Sequence, residues 1–509
     1  MSRTFRSAAS GAVAALLLAA CPAAGPPPPE PPPAPAGVVR LAYPLDPPTL
    51  NPIRATTPEA RDVLRALLPS FHVVTPDLRY RPSLLAEEPV VVVEGERMEV
   101  RFRIRDDARW SDGRPITVED VAFTWQVMVH RRLDAPVSTG FEHLLGVERR
   151  GPKAGTLVFE PPFTGWRDLF SAGRFVLPAR GRPADVAGWD DGPPVSGGPF
   201  VLERWVRGRS IDLARNPRAF VGPPLVQGIR LEIVPDATTA LQLFEAGEVD
   251  ALAPMLGLGW GSRLERLDGV DLSRATGPTQ VHLLLHTGRL SRRRDRQSIA
   301  QALDRDRFAD VVLRGRDRVA QSVLSPEQPG YLPAWAGYGG GGPVRVGREL
   351  RLVSPRAELL DLTARWVQTA LSTAGADVDL VAVDPQVFER LVLRERDYEL
   401  ALWVTRSGPG PWLDRWFSSD SGERPSTWED PTLDALLGRV GLGGPEGASA
   451  LETSQQLLAQ QAAVIPLFRP EVVMASRGVR GVEANPTADG PLWNAEAWAF
   501  VERPTTRRT

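Results

Sequence analysis

Residues 100–128 constrain this chain more than any other stretch. Val100, Phe102 and Ile104 are apolar and alternate with Arg101, Arg103 and Arg105, the period of two that marks a half-buried strand. Ser111-Asp112-Gly113-Arg114-Pro115 breaks the alternation, because Asp-Gly and Pro favour a turn. Thr117 then stands as a helix N-cap, with Asp120 three residues on in a capping-box position. Val118, Val121, Ala122, Trp125 and Val129 follow at helical spacing as one apolar stripe. A strand, an aromatic residue, a tight acidic turn and a capped helix in this order form a specific pattern.

The same residues carry a resemblance. Phe102, Arg103, Trp110, Asp112, Gly113, Pro115, Thr117, Asp120 and Val121 resemble the signature of family 5 extracellular solute-binding proteins of ABC importers, the dipeptide-, oligopeptide- and nickel-binding type. These signature residues read as scaffold and none as catalytic. Further ordered blocks match the family between about residues 38 and 500: Thr49-Leu50-Asn51-Pro52, the segment 82–87, the turn 194–200, Arg215-Asn216-Pro217 and 246–250. At 194–200, Ser196-Gly197 departs from the usual Gly-Thr.

The N-terminus reads as a targeting segment. Arg3 and Arg6 precede a short apolar core at 12–20, too short to span a bilayer as a mature helix. Leu18-Ala19-Ala20-Cys21 resembles a bacterial lipobox, which implies cleavage before Cys21 and its lipidation. Cys21 is the only cysteine in 509 residues, so no disulfide framework is possible. Residues 21–37 are proline-rich and should form an extended spacer. The expected location is the outer face of the cytoplasmic membrane, reached by export and held by lipid.

The remaining pattern alternates strands and helices. Strands are expected at 38–43, 157–159, 175–177, 229–234, 249–252, 281–285, 378–381, 398–404, 463–468 and 472–475. Helices are expected after Asp236, over 296–308, over 359–371 and around Phe388. The fold class is therefore α/β. The resemblance implies a two-lobed periplasmic-binding-protein-like fold of type II, similar to cluster C. The signal peptide would cover 1–20, the first lobe 38–278 with a subdomain near 55–190, the second lobe 279–470, and a return to the first lobe 471–505.

Chemistry-bearing constellations are sparse. A net charge of −2 gives no bulk attraction to nucleic acid, and Arg292-Arg293-Arg294 reads as a solvated run. His282 and His286 on one strand would stand roughly 13 Å apart, too far to share a metal ion. Asp190-Asp191 lies in a Gly/Pro-rich loop and reads as a solvated turn. No Gly-x-Ser-x-Gly or His-Glu-x-x-His occurs, so hydrolase chemistry has no anchor. Gly337 to Gly342 lacks the Gly-Lys-Ser/Thr of a phosphate loop. No cofactor and no metal are expected, and the chain is expected not to be an enzyme.

The candidate ligand cluster is Trp403, Arg406, Trp412 and Trp416, where a strand runs into an irregular Gly/Pro loop. Ligand sites favour strand ends with large apolar faces and a few polar groups. In peptide-binding relatives an Asp in this segment holds the peptide's free amino group; this chain has Arg406 there, and Pro409-Gly410 in place of an Asp-Pro pair. A guanidinium would favour an anionic, N-blocked or sugar-like solute over a free amine. Two alternatives remain open: the aromatics form core with Arg406 in a salt bridge, or a shifted register lets Asp414 supply the carboxylate. The expected role is capture of a small peptide-like solute by a monomer and its delivery to an ABC permease. An exported hydrolase, or a sensor or chaperone without a permease, is the alternative.

Overall fold

The computed structural model describes residues 37–501 except 131, 134, 255–259, 314–317 and 412. The segment 1–20 expected to be a leader, Cys21, the proline-rich stretch up to residue 36 and Trp412 therefore lie outside the described residues.

Two large sheets organise the molecule. The first has seven strands in the order Val270–Ala275, Val472–Arg477, Ala251–Leu252, Val38–Tyr43, Gly228–Ile233, Ser210–Arg215 and Phe200–Val206. Its centre, Val38–Tyr43, runs parallel to both neighbours, and Val39, Leu41, Ala42 and Tyr43 are buried. A central parallel strand covered on both sides must be apolar almost throughout. The second sheet has six strands: Arg318–Val319, Val464–Arg469, Gln280–Leu285, Leu400–Thr405, Leu350–Pro355 and Val378–Val383. Separate apolar clusters lie against it, one with Leu283, Leu352 and Val367, the other with Leu284, Trp335 and Ala401. The chain crosses from the first sheet to the second between Ala275 and Gln280, and returns between Arg469 and Val472.

The 100–128 stretch belongs to a four-stranded sheet, Val90–Glu94, Arg97–Arg103, Ala154–Phe159 and Leu144–Arg149. Met98, Val100 and Phe102 turn inward, as the alternation requires. Trp110 is fully buried, and its indole N–H donates to Asp120 Oδ1 at 3.2 Å. The other Asp120 oxygen accepts from Thr117 N at 2.8 Å and so caps helix Val118–Met128. Gly113 has φ +92°, a conformation in which a Cβ would be strained. Val129 does not extend the buried stripe; the helix ends at Met128 and Val129 is 41 % exposed.

Other sequence expectations are corrected. Residues 175–177 form no strand. Their donors go elsewhere, Val176 N to Pro69 O and Leu177 N to the Thr124 hydroxyl, and Pro178 has no N–H to offer. The helix expected over 296–308 is two helices, Arg293–Ala302 and Arg305–Val311. Asp304 caps the second by accepting from Arg307 N at 3.0 Å. Arg305 is buried there, donating to the carbonyls of Ala320, Pro466 and Trp335.

Candidate functional site

Helix Pro58–Leu67 opens the site. The Thr57 hydroxyl caps it by accepting from Ala60 N at 3.3 Å, and Pro58 occupies the first turn, where no N–H is needed. Val63, Leu64 and Leu67 pack into the core of the first sheet. The helix is enclosed on its other flank as well, so it carries Arg61, Asp62 and Arg65 into the interior. Buried charges require partners, and two of these three find them across the gap between the sheets.

The first tie joins Asp62 to Arg406, the residue that follows strand Leu400–Thr405. Arg406 Nη1 lies 3.0 Å from Asp62 Oδ1, and Nη2 donates to Oδ2 at 3.0 Å. The Tyr43 hydroxyl donates to the same Oδ2 at 2.7 Å. Burial raises the Asp62 carboxyl, and Arg406 opposes that rise. Burial and the Asp62 charge together push the Tyr43 phenol well above its ordinary value.

The second tie centres on Glu423. Its carboxylate meets Arg61, Arg174 at 3.2 Å and Arg415 at 2.7 Å, all nearly enclosed. Arg61 and Arg174 come from the body of the first sheet; Glu423 and Arg415 come from that of the second. Burial would raise Glu423, but the three guanidiniums hold it down to about 2. Burial, and then repulsion from Arg415, brings Arg61 down to about 9. Smaller links add to the contact: the Thr56 hydroxyl donates to Glu389 at 2.6 Å, and Thr164 N donates to Gly441 O at 2.7 Å.

Between these ties lies a cavity of about 210 Å³. Its apolar wall includes Phe388, Leu360, Leu402, Trp403, Val404 and Trp416. Tyr43, Asp62 and Arg406 form part of its lining, and Glu59 and Glu389 face it from opposite bodies. Neither Glu59 nor Glu389 has an ion-pair partner among the described residues.

Of the candidate ligand residues, Trp403, Arg406 and Trp416 come together at this cavity. Trp412 lies outside the described residues, and Asp414 is buried without lining the cavity. The expectation of an anion rested on a free guanidinium at Arg406; the structure commits that group to Asp62. None of Trp110, Asp112, Gly113, Pro115, Thr117 and Asp120 lines the cavity. His282 Nε2 is 2.9 Å from the Thr405 hydroxyl, and burial lowers its pKa to about 3. Among the described residues no group of His, Cys, Asp and Glu is arranged to hold a metal ion. Glu59, Asp62, Glu389 and Glu423 were not singled out in the sequence. The one local signal was a pair of carboxylates three apart, Glu59 and Asp62, just inside a Thr-Pro helix start.

The model for bacterial extracellular solute-binding proteins, family 5, matches residues 82–423. The chain belongs to this family. It is therefore an extracellular solute-binding protein. The oligopeptide-binding protein OppA of Mycobacterium tuberculosis (strain H37Rv) is 25% identical over 445 residues, covering 79% of this chain and 74% of that protein. A probable di/tripeptide-binding protein of Pseudomonas aeruginosa is 26% identical over 479 residues, 85% of this chain and 89% of the relative. The solved structure of the periplasmic EDTA-binding protein EppA superposes with a TM-score of 0.81 at 23% identity, covering 92% of this chain and 98% of that one. That of the oligopeptide-binding protein AppA from Bacillus subtilis, in complex with a nonapeptide, also gives 0.81, at 19% identity over 92% and 100%. These likenesses establish the α/β binding-protein fold, and the relatives are binding proteins rather than enzymes.

Proposed function

We propose that the cavity between the two sheets holds one small solute, peptide-like in size, and that the closed form is delivered to an ABC permease. The observation that carries this reading is the cavity itself: aromatic and aliphatic walls with a few charged groups, built from both bodies of a solute-binding protein. Its volume falls below the range of roughly 300–1,000 Å³ common for drug-sized ligands, which favours a di- or tripeptide-sized solute over a long extended chain. Trp403 and Trp416 supply apolar surface, and the Asp62–Arg406 pair closes part of the lining as a charge-neutral unit. We assign residues 38–278 with 471–505 to one lobe and 279–470 to the other; the two chain crossings at 275–280 and 469–472 support that division. Closure then biases a hinge equilibrium through contacts made only when the lobes meet. Native mass spectrometry of the purified protein tests the reading by looking for one retained organic solute per chain.

Anchoring rests on the lone Cys21 after Leu18-Ala19-Ala20. A thioether-linked lipid there would keep the binding body beside its membrane partner. Replacing Cys21 with Ser should abolish lipid labelling and shift the protein from the membrane to the soluble fraction. Unchanged membrane retention of that variant would contradict lipid anchoring.

A further inference from the structure

The position of Arg406 depends on the loop that follows it, and that loop cannot hold its own shape. Ser407-Gly408-Pro409-Gly410 carries no long side chain, and Pro409 has no N–H to donate. Two glycines leave its backbone free to take many paths. Its enclosed carbonyls still need donors.

One side chain supplies them. Gln328 is 4 % exposed. Its amide nitrogen donates to Gly408 O at 3.0 Å, Gly410 O at 3.2 Å and the Ser407 hydroxyl at 3.3 Å, sharing two N–H groups among three oxygens. Its carbonyl oxygen accepts from Ser325 N at 2.9 Å, which fixes the end of the amide that faces the loop. Next to it, Glu327 pairs at 2.8 Å with Arg469, the last residue of strand Val464–Arg469 before the chain crosses back to the first sheet. Gln328 therefore stands on a segment tied to that crossing.

The far side of the loop meets the opposite body. Ala488 N donates to Ser407 O at 3.1 Å. A Cβ built on Gly408 would lie 3.1 Å from the Ala172 Cβ, and one on Gly410 would lie 3.3 Å from Asp168 Oδ2. A cavity of about 10 Å³ remains in this contact, room for about one water. Surfaces fitted this closely tolerate little change in the path of the loop. Parting of the lobes would take Ala488, Asp168 and Asp62 away from the loop. Gln328 would stay, because it lies in the same lobe.

We infer that Gln328 is a positioning residue for closure: its amide holds the 407–410 loop, in advance, in the shape that the opposite lobe receives. This rests on the reading that the lobes close around a solute. A loop ordered beforehand spares closure the cost of ordering it.

Two variants of the full chain test this. Gln328→Met keeps the length and removes the donors. Gln328→Glu keeps the shape and gains a donor only when its carboxyl is protonated, which burial among carbonyl oxygens favours already at mildly acidic pH. Hydrogen exchange over residues 485–491 reads the Ala488 amide, and exchange over 280–285 reads the core of the second sheet. At about pH 8 the Ala488 amide should exchange about tenfold or more faster in both variants than in the parent, with the core unchanged and a larger radius of gyration by scattering. At about pH 5, each variant being compared with the parent at that pH, protection should recover in part for Gln328→Glu and not for Gln328→Met. Parent-like protection of Ala488 in both variants would overturn the assignment. So would a loss spread evenly into the core, which marks a merely structural role, or a Gln328→Glu protein that gains nothing from acid. The share of chains carrying a retained solute in native mass spectra should fall with the protection of Ala488. A parent that retains no solute sinks the solute-site reading alone, since the Ala488 amide still reports what Gln328 does to the contact between the lobes.

Discussion

Replacing Glu423 with Gln is expected to cost on the order of 3–5 kcal/mol of stability and to loosen the contact between the two lobes. The carboxylate is the shared partner of Arg61, Arg174 and Arg415, each less than a tenth exposed at its side chain. Glutamine keeps the shape but removes the charge, leaving three guanidiniums facing one another without their common counterion. Two of them belong to the lobe opposite Glu423, so their repulsion acts across the cleft. Chemical denaturation would read the loss, and solution scattering would read a larger radius of gyration. A double variant with Arg174→Gln should recover part of the loss, because one of the cations is then removed with the anion. A Glu423→Gln protein as stable and as compact as the parent would show that this cluster does not hold the lobes together. The linkage has a defined sign. The carboxyl is held at about 2 in the folded protein, below its ordinary value near 4.5, so its stabilisation is present above that ordinary value. It is lost as the pH falls from there toward 2.

Gly490→Ala should be nearly as damaging, by a different route. Gly490 has φ +58°, and a Cβ built on it would lie 2.0 Å from Asp62 Oδ1 and 2.5 Å from Arg406 Nη1. An alanine adds about 1–2 kcal/mol for the left-handed backbone. It also forces apart a buried ion pair whose separation costs roughly 3–5 kcal/mol. The close approach of Asp62 and Arg406 therefore depends on the missing side chain of a third residue. The expected outcome is a lower unfolding midpoint and weaker solute binding together, since Asp62 and Arg406 both line the cavity. Substitution at Gly208, also at positive φ but with open space around its Cβ position, provides the control for backbone strain alone. If the two variants lose equal stability, the ion pair is not what Gly490 protects.

The signature at 100–128 was legible because its interactions are local. A strand, a turn requiring positive φ at Gly113 and a cap formed by Thr117 and Asp120 are each encoded within a few residues. That Trp403, Arg406 and Trp416 come together at one cavity was legible for a related reason: all three lie where a strand runs into a Gly/Pro loop. The rest of the site was not legible. Asp62 meets Arg406 across 344 residues, and Arg61 meets Glu423 across 362. No spacing rule links such positions, and a helix with Arg61, Asp62 and Arg65 among its apolar residues reads on its own as amphipathic surface. The choice at Arg406 between a free guanidinium and one held in a salt bridge stayed open in the sequence for this reason; the structure pairs it with Asp62. A guanidinium read in one dimension has no partner, and its partner decides whether it receives an anion or cancels a carboxylate. The segment 175–177 misled in the same way, since an apolar run before a proline gives no sign that its donors will be taken by Thr124 and by the backbone of Pro69.

The most direct measurement of the central claim is the native mass of the purified protein, recorded before and after mild unfolding. Capture of one solute in the 210 Å³ cavity predicts a single added organic mass per chain, released on unfolding and absent from the Trp403→Ala variant. A spectrum without added mass, unchanged after incubation with a peptide and amine mixture, would contradict the account. So would a retained solute whose binding is untouched by Trp403→Ala.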